Sequence, residues 1–303
     1  MKTAFLILAH EHPALLARLV HRLEHPESAI FVHVDRKRDC QPFKSAVGDG
    51  ALFLEDEARI ESHWGAYSVI RATLNLVRTA CEIAPMTERF VLLSGVDYPV
   101  LSTEEIIKFL SKDVEVIQVD RALDPCGRSE FDRCANRIFL GERGFMNPRT
   151  GHAWLNWCRA LVARVPRVPA YGATIFYGPP HWALTREAVQ IILKIEQAAP
   201  EKIQWFRYAL YPDEMVFHTL LKHSARADKI VYDATKVTPH WHPRLAGIGY
   251  IDWDNPNPST PRILELGDLA QIRASGAMFA RKMHPGRSAA LMDALDAGVV
   301  PRT

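Results

Sequence analysis

Residues 4–23 read AFLILAHEHPALLARLVHRL. The unbroken apolar run Ala4-Phe5-Leu6-Ile7-Leu8 is the pattern of a parallel strand covered on both faces, where no side is left for polar alternation. Pro13 then opens a helix whose Leu15, Leu16, Leu19, Val20 and Leu23 share one face. The same alternation continues. Ala29–Val34 reads as a strand, Leu52–Leu54 as a short third one, Gly65–Ile83 as a long helix and Phe90–Leu93 as another buried strand. Ser102 with Glu105 three residues on is a capping box for a helix through Leu110. Val114–Val119 follows as a strand. This order predicts a mostly parallel sheet with helices on both faces. Ligands bind such sheets beyond the carboxyl ends of the strands. The segments to watch are therefore His10-Glu11-His12, Asp35-Arg36-Lys37 and Ser94–Pro99.

The second half is less regular. Asp120–Thr150 is polar and rich in Arg and Gly, and reads as a long functional loop. Trp154–Val165 reads as a helix, Thr174–Tyr177 as a strand and Thr185–Ile195 as a helix. A helix from Pro212 and a strand near Ile230–Tyr232 come next. Thr238–Pro261, rich in Pro, Gly, His and Trp, reads as a surface loop over a cleft. Helices near Asp268–Ala274 and after Gly286 close the chain. With no repeat and no linker, residues 1–303 are expected to form one domain, its regular first half (1–120) followed by a less regular second half (121–303).

The 303 residues are 48% hydrophobic and 24% charged, an ordinary globular composition. The net charge of +2 and the lack of a long basic run make nucleic acid an unfavoured partner. The five cysteines form no CxxC pair, so neither a disulfide framework nor a thiolate zinc site is expected. The N-terminal apolar run, about seven residues, lacks a small-x-small cleavage site and is far below a spanning helix. A cytoplasmic protein is the expectation. Association with the inner face of a membrane needs no spanning helix and stays open. Oligomeric state is not readable.

Pro212-Asp213-Glu214 stands ahead of an apolar run, as at a helix start, where both acids would face the positive end of the dipole. Either they only stabilise that start, or one is a catalytic base. No GxGxxG, GxxxxGK[ST] or HExxH occurs. Asp252-Trp253-Asp254 and Glu55-Asp56-Glu57 imitate a metal-binding acidic pair, yet neither follows the central strand, where only Asp97 stands. Without a metal, a diphosphate leaving group needs cationic side chains. Arg281, Lys282 and Arg262 are candidates, against a reading as solvated surface charge. In Gly178–Arg186, His181 and Trp182 suit a sugar ring, or else Trp182 anchors a core turn. His240-Trp241-His242 lacks a third ligand and reads as an aromatic loop lining a cleft, with Trp241 against the acceptor.

Together FLILAHEHP, FVHVDRK, SHWGAYSVIRATLNL, FVLLSGVDYPVLSTEEI, GPPHWALTREAV, YPDEMVFHTLL, YIDW and MFARKM resemble, in order from residue 5 to about 283, one family. It is the core-2/I-branching N-acetylglucosaminyltransferases and peptide O-xylosyltransferases, glycosyltransferase family 14. The resemblance implies an α/β, GT-A-type, Rossmann-like fold with a C-terminal lobe completing the cleft. It implies an inverting transferase using a UDP-sugar donor, with no metal or other cofactor. By this likeness Glu214 is the general base, and Arg281, Lys282 and, at a shorter spacing, Arg262 bind the diphosphate. His10, Asp35, Lys37, Trp64 and Asp97 belong to the nucleotide site. His181, Trp182, Asp213 and Trp241 belong to the sugar and acceptor side. The family's xylosyltransferases carry Asp-Trp where His181-Trp182 stands, and this departure leaves the donor open among UDP-GlcNAc, UDP-xylose and another UDP-sugar. The acceptor is a glycan, a glycoconjugate or a peptide serine. The missing anchor and disulfides of the vertebrate enzymes suggest a bacterial member. A catalytically silent carbohydrate-binding protein on the same fold is the alternative. A glycoside hydrolase would need two carboxylates flanking the bond, and neighbours on a helix point apart.

Overall fold

The computed structural model describes residues 2–298 apart from 125, 127, 143, 148, 150, 168–172 and 256–259. Undescribed positions of the two predicted loops, 120–150 and 238–261, fall among these. In the first half, strands β1 (Lys2–Ala9), β2 (Ser28–Val34), β3 (Leu52–Phe53), β4 (Thr87–Ser94), β5 (Tyr98–Pro99) and β6 (Glu115–Val119) alternate with helices α1 (Pro13–Leu23), α2 (Gln41–Val47), α3 (Ser68–Ile83) and α4 (Thr103–Leu110). The second half contains β7 (Arg121–Ala122), α5 (Glu130–Asn136), α6 (Asn156–Val162), β8 (Phe176–Tyr177), β9 (Ala183–Thr185), α7 (Arg186–Ala198), α8 (Glu201–Gln204), α9 (Val216–Lys222) and β10 (Ile230–Asp233). It ends with β11 (Leu245–Ala246), β12 (Gly249–Ile251), α10 (Leu269–Ala274), β13 (Phe279–Arg281) and α11 (Ala289–Ala297).

The main sheet has seven strands in the order β10-β6-β9-β4-β1-β2-β3. All its pairings are parallel except those of β9, which runs antiparallel between β4 and β6. Strand alternation splits the core in two. Ala4, Leu6, Phe90 and Leu92 pack on one face with α3, α7 and α9. Phe5, Ile7, Val91 and Leu93 pack on the other with α1 and α4. This is why the apolar runs of β1 and β4 are unbroken. The expected capping box is present: Ser102 Oγ accepts from Glu105 N–H, and the Glu105 carboxylate accepts from Ser102 N–H.

A second sheet, β11-β12-β13-β5, packs with α10 and α11 as a C-terminal lobe. The chain leaves β4 and enters β5 of this lobe within four residues, so Asp97 sits at the seam between the sheets. The mostly parallel α/β sheet with a C-terminal lobe matches the expected architecture.

Three expectations need correction. Asp120–Thr150 is not simply a loop: it contains β7 and α5, the latter started by a Ser129/Asp132 capping box. The strand expected over Thr174–Tyr177 is confined to Phe176–Tyr177, paired with β7. The helix expected from Pro212 is a single 3-10 turn, Pro212–Glu214, and regular α-helix begins at Val216 after Met215 departs from helical geometry (φ −132°).

Candidate active site

Glu214 is delivered by a braced turn. Tyr211 precedes it in the left-handed region (φ 56°), and its N–H donates to the Gly65 carbonyl at 3.1 Å. Gly65 has φ 67°, and a β-carbon there would lie 2.8 Å from Leu210, so a side chain there would be strained. Trp64 packs edge-on against Tyr211 (ring centroids 5.1 Å) and carries Arg149 3.8 Å above its face. On the other side, Gly178 N–H donates to the Glu214 carbonyl (3.0 Å). A side chain at Gly178 would strike the Gln118 carbonyl at 1.9 Å. The Tyr177 hydroxyl donates to Glu214 Oε2.

This setting changes the electrostatics expected of a helix start. One 3-10 turn has little dipole to offer, and protein packs closely around both carboxyl groups although each side chain keeps some exposed surface. Burial raises Glu214 to about 8, helped by neighbouring Asp213 and opposed by Tyr177 and Arg281. Burial also raises Asp213. Both acids were expected to face the positive end of a helix dipole; at this turn desolvation outweighs the dipole. The same pair, burial first and Glu214 second, pushes the Tyr177 phenol up, so it stays a hydrogen-bond donor.

Arg281, at the end of β13, links this turn to the sheet seam. Its Nε lies 3.3 Å from Asp97 Oδ1, and its Nη1 lies 2.8 and 2.9 Å from the two ring nitrogens of His181. Its charge also acts on Asp213 and Glu214. Burial, then Arg281, holds the His181 imidazole well below its ordinary value, hence neutral. Asp97 accepts from Ser94 N–H (2.8 Å) and is almost wholly buried. Burial raises its carboxyl against the pull of Arg281 and Ser94. Asp97 thus orients Arg281 and is not presented to a nucleotide.

The ends of β1 and β2 form the neighbouring wall. Asp35 N–H donates to the Ala9 carbonyl (2.8 Å), and Asp35 Oδ1 accepts from Lys37 N–H (2.9 Å). The Lys37 ammonium reaches the Ser62 carbonyl. Lys282 Nζ lies 3.5 Å from Glu11 Oε1, whose carboxylate also faces His10 at 3.6 Å. Burial works upward on Glu11, but His10, Lys282 and His12 outweigh it and hold the carboxyl low. Burial lowers His10. His10, Asp35 and Lys37 thus stand just past the ends of β1 and β2, and Lys282, following β13 of the second sheet, reaches this wall at Glu11.

Other candidates are moved. Trp182 has no exposed surface and packs against Phe217 at 5.2 Å, so it is core and not a sugar platform. Adjacent residues entering a strand point to opposite faces, which sends His181 to the cleft and Trp182 inward. Trp64 belongs to the brace of the Glu214 turn, through its contact with Tyr211. Arg262 is held by two carboxylates, Asp252 (2.7 and 3.0 Å) and Asp268 (2.5 Å), so its guanidinium is already neutralised. Trp241 stacks edge-on against Tyr232 of β10 (5.4 Å) and anchors its loop to the lobe.

Two residues at the site carried no role in the sequence reading. Tyr177 bonds Glu214, and its position just before Gly178-Pro179-Pro180 was the available signal. Gln118 bridges Asp120 (2.7 Å) and Gly247 N–H (3.0 Å), tying β6 to the C-terminal lobe. Among the described residues no group of three His, Cys, Asp or Glu side chains could hold a metal ion. A separate cavity of about 490 Å³ along α3, lined by Tyr67, Arg71, Arg207 and Glu196 among others, contains none of the candidate residues.

The model of the family described as Branch, core-2/I-branching enzyme, matches residues 3–273. The chain belongs to the core-2/I-branching enzyme family. Its relatives in this family include xylosyltransferase 2 of Rattus norvegicus, 26% identical over 98% of this chain and 33% of that protein. Xylosyltransferase 2 of Homo sapiens is 25% identical over the same shares, and xylosyltransferase 1 of Canis lupus familiaris is 23% identical over 93% and 29%. The chain spans about a third of the length of these relatives. Mouse xyloside xylosyltransferase 1 in its apo form aligns over 92% of this chain and 97% of that one at 12% identity, with a TM-score of 0.41, too loose a likeness to place site residues.

Proposed function

We propose that the chain transfers GlcNAc or xylose from a UDP-sugar to an acceptor hydroxyl, with inversion, without a metal, and with Glu214 as general base. The observation that carries this reading is the reach of Arg281. One guanidinium contacts Asp97 and His181 and acts electrostatically on Asp213 and Glu214, so a cation for the leaving diphosphate faces a proton acceptor across one cleft. The acceptor oxygen attacks the anomeric carbon and its proton passes to the Glu214 carboxylate. The bond to the β-phosphate oxygen breaks, and its electron pair leaves with UDP toward Arg281 and Lys282. Fixed positive charge aimed at that oxygen lowers the barrier without reorganisation, and a positioned base adds about a hundredfold to ten-thousandfold. The commitment of Asp97 to Arg281 leaves no acidic pair at the end of β4, which supports the metal-free reading. The names of the relatives favour a xylosyl donor.

A panel of UDP-sugars tests this by thermal shift and UDP release, with and without EDTA. One or two donors should stabilise the protein and release UDP equally in EDTA. Strict dependence on added Mn²⁺ would overturn the metal-free mechanism. Saturable glycan binding with no UDP release from any donor would favour the silent carbohydrate-binding protein.

A further inference from the structure

The segment 153–165 exposes an apolar face that none of the described residues covers. Trp154 is 75% exposed, Trp157 72%, Leu161 51% and Val165 49%. Ala153–Leu155 is a 3-10 turn running directly into α6, so at three- and four-residue spacings Trp154, Trp157 and Leu161 lie along one side. Phe145, 50% exposed, belongs to the same stretch of chain. Single exposed apolar residues are normal, but a contiguous row with two tryptophans marks a contact surface.

Charge names the occupant. Residues 121–167 hold nine arginines and four carboxylates, an excess of five positive charges in a chain whose total is +2. Arg128 is paired with Asp124. Arg137 and Arg159 instead donate to carbonyl oxygens and have no carboxylate partner among the described residues. Exposed Trp and Leu with a surrounding arginine excess are the elements of an interfacial helix, with rings at headgroup depth and guanidinium groups against anionic lipid. A sugar platform would use the tryptophans but leave Leu161 and Val165 unexplained. No helix among the described residues is long and apolar enough to cross a membrane, so contact would be at the surface.

We infer that this face docks on an anionic lipid bilayer. Arg137 bridges to Pro166, and Arg167 N–H donates to the Asn136 carbonyl, so the segment abuts α5. Phe131 of α5 leans on Tyr177 (5.3 Å), the partner of Glu214. The docked face therefore lies beside the catalytic turn.

The test is co-sedimentation of the full chain with phosphatidylcholine vesicles, with or without roughly 30 mol% phosphatidylglycerol. Binding should require the anionic lipid, weaken with added salt over the Debye range, and blue-shift tryptophan emission. Trp154→Ser with Trp157→Ser should cut the partition roughly tenfold or more, with far-UV circular dichroism and melting temperature unchanged because both rings are exposed. Trp154→Phe with Trp157→Phe should keep binding and lose the blue shift. Equal binding by the serine variant, or none to anionic vesicles at low salt, would overturn the inference. So would a dimer in sedimentation that the serine variant dissolves, or binding of a soluble oligosaccharide that depends on the two tryptophans.

Discussion

Replacing Tyr177 with phenylalanine should move the pH at which the enzyme switches on, while leaving the switched-on rate near its original level. The Tyr177 hydroxyl donates to Glu214 Oε2, and only the ionised carboxylate accepts that bond fully. Glu214 is already raised to about 8 by burial and Asp213, with Tyr177 pulling the other way. A hydrogen bond to a charged group is worth about 1.5–3 kcal/mol, or about 1–2 pKa units at 1.36 kcal/mol per unit. In Tyr177→Phe the acid limb of kcat/KM should rise by that amount. At pH 7 the ionised fraction of Glu214 would then fall from about a tenth to between a hundredth and a thousandth, a loss of roughly tenfold to a hundredfold. The phenyl ring that Phe131 packs against is kept. The assay is initial-rate UDP release from pH 6 to 10 with the donor selected by the panel. An unmoved acid limb, or an equal fall at every pH, would refute the role given to this bond.

Other outcomes follow from the same geometry. Arg281→Ala strands the buried Asp97 carboxylate and should cost about 3–5 kcal/mol in denaturant unfolding; adding Asp97→Asn should restore much of that stability but not UDP affinity by calorimetry. Trp182→Ala should cost about 3–5 kcal/mol of stability, while Trp182→Phe keeps donor affinity; a changed donor Kd without lost stability would return the ring to the sugar site. Glu214→Gln should stabilise the fold on the order of 1–3 kcal/mol at pH 9 and hardly at pH 5. The sign follows from the raised pKa. The folded state keeps a proton that the unfolded chain releases above its ordinary value of 4.5, so this contribution is present below that value and is lost as pH rises through about 8. His218, buried and lowered to about 3, acts in the opposite window. The unfolded chain binds its proton first, so stability should fall as pH drops below about 6.5, readable as a falling melting temperature.

The sheet was legible wherever local pattern and burial agree. The runs in β1 and β4 are apolar throughout because both faces are covered, and the Ser102/Glu105 box marks a helix start by chemistry local to four residues. What failed depends on long-range packing. β9 is three residues long, too short for periodicity, and exists because β4 and β6 flank it on either side. That insertion also decides that Trp182 faces the core while His181 faces the cleft. Arg262 looked like a phosphate ligand because nothing in the sequence brings Asp252 and Asp268 to it. Pro212-Asp213-Glu214 stood out in the sequence as a helix start, whereas the structure makes it one 3-10 turn packed among distant segments. Burial by Tyr177 and the Gly178 turn, and the Gly65 carbonyl that braces Tyr211, come from segments more than thirty residues away.

The most direct test is the turnover of Glu214→Gln, with the donor Kd measured on the same preparation in EDTA. Glutamine keeps the shape and cannot take the acceptor proton. The expected result is UDP and donor affinity within a few-fold of the parent, with kcat reduced by about a hundredfold to ten-thousandfold. Near-parental kcat at unchanged affinity would contradict Glu214 as the base and the mechanism built on it.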